Sequence, residues 1–491
     1  MEPLDLRDSL SLLTGELHAG ASTPELGITG LVLGGSREMC QYLGPIAGNG
    51  PRSRKVRRMT ILAGFTLPDL SEYDPPVEGE GSLDPMGVAA ISDRLAERLV
   101  PGLRSRMKRI RFVTAMAVGS LACETLDNVA SDDGISTPAI CFEWLVIESF
   151  ARRLSAQEFP SGIPGSQKAR SVVTKNQRLS AATYLKGPSV FGFNGVYKPF
   201  AVDAGVIGSE LEPGLRCAEL VRAWEQDWAF HGFADAVPGT DGGKLRINVR
   251  DQVRASLEVG RCSVGLGSWL FGRLAAALHP DRALPGERQA LRSLIMDGEH
   301  ENRAELANRI ERVEGELAES ELLRAVRPYC SPSLGSIIDA VVAYEEFALL
   351  LDTAFRTLCA VSYSQGVQPL MAGDVQANDV IARCSRDLPG NYRLAEDRMA
   401  AIGASAGLEE RLGVFAIPSS PPDLVELLIQ HHETVQAGKS RSGKRPWFEP
   451  YRGGWIVRPP YGTTAPPEPG SGFVHPVRVG ALSRFLEDTR T

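Results

Sequence analysis

The 491-residue chain lacks any run approaching the roughly 18 uninterrupted apolar residues that cross a bilayer. Its opening, MEPLDLRDSLSLL, carries acids where a secretory leader carries bases. A cytoplasmic protein with no membrane partner is therefore expected. Cysteine is sparse and dispersed: the eight residues, Cys40, Cys123, Cys141, Cys217, Cys262, Cys330, Cys359 and Cys384, contain no CxxC pair. The seven histidines are also scattered, apart from His431 and His432. Neighbouring side chains on a helix diverge by about 100°, which suits that pair poorly to one metal. No metal site and no cofactor are expected.

Two nucleotide motifs are incomplete. Gly438 to Lys444 has GxxxxGK spacing, but Arg445 stands where a magnesium-binding Ser or Thr belongs, and a helix precedes the loop where a strand is required. The glycines from Gly30 to Gly35 lack the third glycine of a dinucleotide fingerprint.

What is present is an ordinary globular composition, 43% apolar and 23% charged, in a chain long enough for several domains. The pattern predicts a mainly α, multidomain protein with a winged-helix-like three-helix unit in the middle and a small α+β C-terminal domain. The expected divisions are 1–160, mixed but mainly helical; 161–260, winged-helix-like; 261–370, helical; and 371–491, α+β.

Helices are predicted wherever apolar residues recur at spacings of three and four. Ile91, Leu95, Leu99 and Leu103 form one such stripe. Ser136 and Thr137 before Pro138 start another helix, on which Glu143 and Glu148 are expected at the surface or in pairs. The stretch 299–326 reads as one exposed amphipathic helix, and 337–361 as a central buried helix in which Asp352 and Arg356 neutralise each other. Ser420 and Asp423 form a capping box, with His431 on the apolar side of the helix that follows. RLGVFAIP and GGWIVRPPY read as strands.

In the middle segment, TKNQRLSAATYLK, VYKPFAVDAGVI and LEPGLRCAELVRAWEQDWAF read as three helices around a tight turn, the skeleton of a helix-turn-helix. Phe200, Val206 and Leu211 then make its apolar contacts. Leu215 is expected on the buried side of the third helix. Pro213 and Gly214 interrupt the recognition helix, so that helix must begin later, as in winged variants.

The net charge of −7 hides segregation. Arg52, Arg54, Lys55, Arg57 and Arg58 form one basic run; Arg104, Arg106, Lys108, Arg109 and Arg111 form a second; Lys439, Arg441, Lys444 and Arg445 form a third. Against them stand the acidic stretch 69–84 and an acid-rich helix over 297–321. Arginine forks suit phosphates, and the third run leads into Trp447, Phe448, Tyr451 and Trp455, a basic and stackable mixture fit for unpaired bases. Lys186, Lys198, Arg216 and Arg222 are further candidates for phosphate contact.

The segments GPSVFGFNGVYKPFA, AELVRAWEQD and HHETVQAGKSRSGKRPWFE resemble those of uncharacterised bacterial proteins of antiviral defence islands. The resemblance implies a setting in which proteins sense, bind or cut foreign DNA, and brings no active-site residues with it. The leading expectation is a DNA-binding component of a defence or DNA-processing complex, with DNA and other protein subunits as partners. Two alternatives stand beside it. One is a metal-dependent nuclease, whose nearest carboxylates are Asp423, Glu426 and Glu433 with Lys439. The other is a helical scaffold that offers its acidic helix to a partner protein.

Overall fold

A computed structural model describes residues 84–126, 129, 131–296, 298–439, 444–463 and 472–490. All lie in the compact unit Pro68–Thr491. The described residues form seventeen α-helices and one two-stranded antiparallel sheet, so the chain is mainly helical. One apolar core runs from Met86 to Leu486. The expected divisions near 160, 260 and 370 fall inside that unit.

The first helix, α1 (Ala89–Leu99), buries Ile91, Leu95 and Leu99. The basic residues 104–111 lead into α2 (Phe112–Cys123), which is apolar all round and buried at every position except Ser120. Such a helix belongs at the centre of a bundle rather than on its surface. In α3 (Pro138–Arg153) the Thr137 side chain accepts from Ile140 N and proline takes the first turn, as the sequence predicts.

The middle segment differs from expectation at its start. Residues 175–187 are turns, whereas the basic connector before them forms α4 (Ser166–Thr174). Then come α5 (Pro188–Phe191), α6 (Phe193–Asp203), α7 (Cys217–Asp227) and α8 (Asp241–Val259). Between α6 and α7 the loop is held by an antiparallel bridge, Ile207 with Pro213. Pro213 and Gly214 lie before α7, which begins only at Cys217. Phe200 and Val206 are buried, but Leu215 is fully exposed, because it precedes the helix instead of riding on its apolar side.

Next, α9 (Trp269–Ala277) packs on α3, and α10 (Pro285–Ile295) packs on α7. The single helix expected over 299–326 is two, α11 (Glu301–Ile310) and α12 (Glu319–Val326). The break contains Gly315 at φ +84, a conformation that glycine tolerates and a helix cannot use. The buried helix is borne out as α13 (Pro332–Ser364), with Arg356 Nε 2.6 Å from Asp352 Oδ2. Along it lies α14 (Asp379–Ala401).

RLGVFAIP is not a strand: it forms α15 (Leu408–Leu412) and a short 3-10 turn, which drop Leu412 and Phe415 into the core. The chain ends with α16 (Pro421–Ala437), capped by Ser420 and Asp423 as expected, β1 (Phe448–Tyr451) paired with β2 (Gly454–Val457), and α17 (Val479–Asp488).

Three buried arginines tie distant segments together. Arg111 donates to both carboxylate oxygens of Glu287 and to the carbonyls of Ala277 and His279. Arg303, fully buried, reaches Asp203 and the carbonyls of Pro101, Leu294 and Ile295. Arg478 binds Asp93 and Glu97. Arg111 and Arg303 satisfy acceptors in the interior, the carboxylate of Glu287 among them, whereas Arg478 is itself buried and is neutralised by two carboxylates that reach solvent.

Candidate nucleic-acid interface

Arg52, Arg54, Lys55, Arg57 and Arg58 lie outside the described residues, and so does Arg441. In the third run Lys439 donates to the Asp84 carbonyl and the Lys444 backbone donates to Gln436 O, while Arg445 is exposed.

Trp447, expected as a platform for bases, is a core residue, 8% exposed. One face stacks on Tyr461 at 4.5 Å and 1°, and the ring also meets Phe355 and His432. The backbone N–H of Trp447 donates to His432 Nε2 while His432 Nδ1 donates to Pro85 O. Burial pushes that imidazole down to about 4, so it is neutral, with both nitrogens engaged. His432 is the fully buried member of the adjacent pair; His431 is half-buried against Met86 O and Phe415.

The second run divides. Arg104 pairs with Glu97, and Arg109 pairs with Asp281 at 3.1 Å and Asp488 at 3.0 Å. Arg111 is fully buried. These three cations are balanced by carboxylates, which removes most of their attraction for phosphate. Arg106 and Lys108 differ. The Arg106 guanidinium lies over the Phe191 ring, 5.3 Å from its centroid. A Cβ placed on Gly162 would stand 2.7 Å from Lys108 Cβ, so the lysine stem rests on that loop's backbone. Burial, and then the positive charge of Arg484, hold the Lys108 ammonium below its ordinary value, with Glu319 opposing. The backbone N–H groups of Lys108 and Arg109 both donate to Tyr197 Oη at 2.8 Å, which fixes the run against α6.

The segment that receives this run has a property that the sequence reading missed. From Phe159 to Val202 there is no Asp or Glu, while Lys168, Arg170, Lys175, Arg178, Lys186 and Lys198 are basic. Counting acid-free stretches, and not only dense basic runs, would have found it. Within it, α4 buries Ala169 and Val172 and exposes Lys168 and Arg170; Lys175 follows at its C-cap, also exposed. Arg170 lies over Phe159 at 4.2 Å. Arg178 is taken up by the buried Glu148, which also holds Arg152. Val190 and Phe191, 50% and 55% exposed, stand at the α5 end of the same segment.

The other predicted phosphate contacts have local partners. Arg216 donates to Ser293 Oγ at 2.9 Å, and Arg222 pairs with Asp235. Lys198 lines a cavity of about 600 Å³ with Asn194, Glu124 and Glu212.

Glu143 lies behind this cavity. It accepts from Tyr184 Oη at 2.6 Å and from Asn194 N and Nδ2 at 3.0 Å. Complete burial pushes its carboxyl up to about 7 despite these donors. The sequence reading put Glu143 at the surface or in a pair; it is neither, although Glu148 is paired as expected.

Among the described residues no group of three or more His, Cys, Asp or Glu side chains is placed to hold a metal ion. Asp423, the leading nuclease carboxylate, is occupied as the cap of α16 through Ser420 Oγ at 2.6 Å. Among the described residues no helix is long and apolar enough to cross a membrane. No family pattern, curated protein or solved structure matches this chain.

Proposed function

We propose that the protein binds nucleic acid, DNA in the setting implied by the defence-island resemblance, as an interaction component of a larger assembly. The binding face is formed by Arg106 and Lys108 together with Lys168, Arg170 and Lys175. One observation carries this reading: two of the five residues of the second run, Arg106 and Lys108, form no salt bridge among the described residues and are packed onto the acid-free segment 159–202 through the Arg106–Phe191 and Lys108–Gly162 contacts. Guanidinium and ammonium groups gathered beside an acid-free segment attract anions, and phosphates supply several at regular spacing. An exposed aromatic beside a guanidinium adds a surface on which a base can stack.

The winged-helix reading of 161–260 enters only as a scaffold. The exposed positions of α7, Glu219, Arg222 and Gln226, are of mixed charge, which suits a recognition helix poorly. Contact is therefore assigned to Arg106 and Lys108 and to the basic residues of α4 and its C-cap.

The test is a salt titration of binding to labelled duplex and single-stranded oligonucleotides. Affinity is expected to fall steeply with salt, because each neutralised phosphate releases counterion. The triple variant Lys168→Ala/Arg170→Ala/Lys175→Ala is expected to flatten that slope and weaken all sequences alike. An unchanged slope in a folded variant overturns the assignment.

A further inference from the structure

The cavity of about 600 Å³ that Lys198 lines lies where α2, the first turns of α3, α6 and the loop before α7 meet. Apolar side chains make up much of its wall: Met116 from α2, Ile140 and Phe142 from α3, and Ile207 and Leu211 from the loop. The loop is fixed in place, because Ile207 bridges to Pro213 and Ser120 Oγ donates to Leu211 O at 2.8 Å. A concave space of this size, mostly apolar with a few polar groups converging on it, is what a small-molecule site requires.

Those polar groups are specific. Asn194, only 7% exposed, gives both Nδ2 protons away, to Ala139 O and Glu143 Oε2, each at 3.0 Å. Its Oδ1 accepts no hydrogen bond among the described residues and is left as an acceptor on the cavity wall. A buried acceptor without a donor is destabilising, and a ligand N–H removes that cost. Lys198, one turn further along α6, is half-buried and forms no ion pair among the described residues. Across from it on the loop, Glu210 and Glu212 also pair with no cation among the described residues; Glu212 Oε2 accepts only the Glu210 backbone N–H, at 2.8 Å. The remaining carboxylate of the lining, Glu124, is taken by Arg246 at 2.9 Å. Charges of both signs thus line one cavity without cancelling each other.

We propose that this cavity binds a free α-amino acid with a large apolar side chain. The α-ammonium donates to Asn194 Oδ1 and is attracted by Glu210 and Glu212, the α-carboxylate meets Lys198, and the side chain lies against the apolar wall. Residues four apart on a helix hold their Cβ atoms about 5–6 Å apart, so two charged groups on one α-carbon can reach Asn194 and Lys198 together. A simple anion is repelled by the two glutamates and a simple cation by Lys198, which favours a molecule carrying both charges. The site neither needs nor supports the nucleic-acid face.

The test is isothermal titration calorimetry of the full chain with three probes: L-phenylalanine, L-phenylalaninamide, which lacks the carboxylate, and N-acetyl-L-phenylalanine, which lacks the ammonium. The amino acid is expected to bind at least about tenfold tighter than either derivative. Lys198→Met is expected to weaken the amino acid about tenfold and leave the amide unweakened, which erases the preference between them, whereas Lys198→Arg retains it. The position is half-exposed, and a circular-dichroism melt verifies folding. No heat from L-phenylalanine, L-leucine or L-tryptophan up to about 10 mM overturns the proposal. So does comparable or tighter binding of either derivative to the parent protein, or a preference over the amide that persists in Lys198→Met.

Discussion

Arg106 and Phe191, 85 positions apart in the chain, meet with the guanidinium carbon over the ring, 5.3 Å from its centroid. The contact attaches a charged run from before α2 to the exposed end of α5, and it separates two kinds of arginine within one run. Replacing Arg106 and Lys108 with alanine is expected to weaken DNA binding about tenfold with little effect on melting temperature. Replacing Arg104 and Arg109 should do the reverse, because Asp281 and Asp488 would lose their counter-ion and Glu97 would keep only Arg478. Binding isotherms and thermal melts of both double variants, side by side, check the division.

Phe191 tests how bases are held. Stacking on an exposed aromatic contributes about 1–3 kcal/mol per base to single strands, and bases already stacked in a duplex cannot use it. Phe191→Ala should therefore reduce affinity for a single-stranded oligonucleotide by about tenfold or more and leave duplex binding nearly unchanged. Equal losses on both would assign Phe191 to packing alone.

Glu143 makes stability depend on pH in an acid-raised sense. Its folded carboxyl titrates at about 7, above the ordinary 4.5, so the fold favours the protonated form. That contribution is complete below pH 4.5 and is lost as pH rises toward 7, with an integrated size of order 3 kcal/mol. In urea melts, the stability difference between Glu143→Gln and the parent protein should shift in the variant's favour over that interval. A difference that stays flat from pH 4.5 to 8 would mean Glu143 is ionised throughout.

His475 has the same pH sense, although there the fold favours the charged form. Burial opposes its charge, but Glu345, which accepts from its Nδ1 at 3.0 Å, outweighs burial, with Asp84 and Asp352 adding to the effect. The imidazole is held above its ordinary 6.5. Its stabilising share is full below that value and is lost as pH rises through the folded value. NMR titration of His475 should show this, and Glu345→Gln should drop the midpoint below 6.5, since burial would then prevail.

Arg303 ties α11 to the end of α6. Fully buried, it binds Asp203 at 2.7 Å and three carbonyls. Arg303→Met leaves Asp203 with only His300 and should cost about 3–5 kcal/mol in denaturant melts.

Elements whose reasons are local were legible beforehand. The cap of α3 by Thr137, the capping box of α16, the buried α13 and its Asp352–Arg356 pair all follow from residues within one or two helical turns. Elements decided by partners were not. RLGVFAIP alternates like a strand, yet it has no sheet to join and winds so that Leu412 and Phe415 enter the core. Trp447 has the composition of a base platform, yet Tyr461 and His432 cover it. Arg104, Arg106, Lys108 and Arg109 look alike as letters; only carboxylates from residues 97, 281 and 488 distinguish them.

The sequence by itself determined that this chain is mainly helical, where α3 and α16 begin, and that its charges are segregated, because periodicity, caps and composition are properties of neighbours along the chain. Which cations remain for a partner, which aromatic stays exposed and where a cavity opens between α2, α3 and α6 were decided only by tertiary structure. Those outcomes depend on groups hundreds of positions apart cancelling or covering one another, and a linear pattern does not encode that proximity.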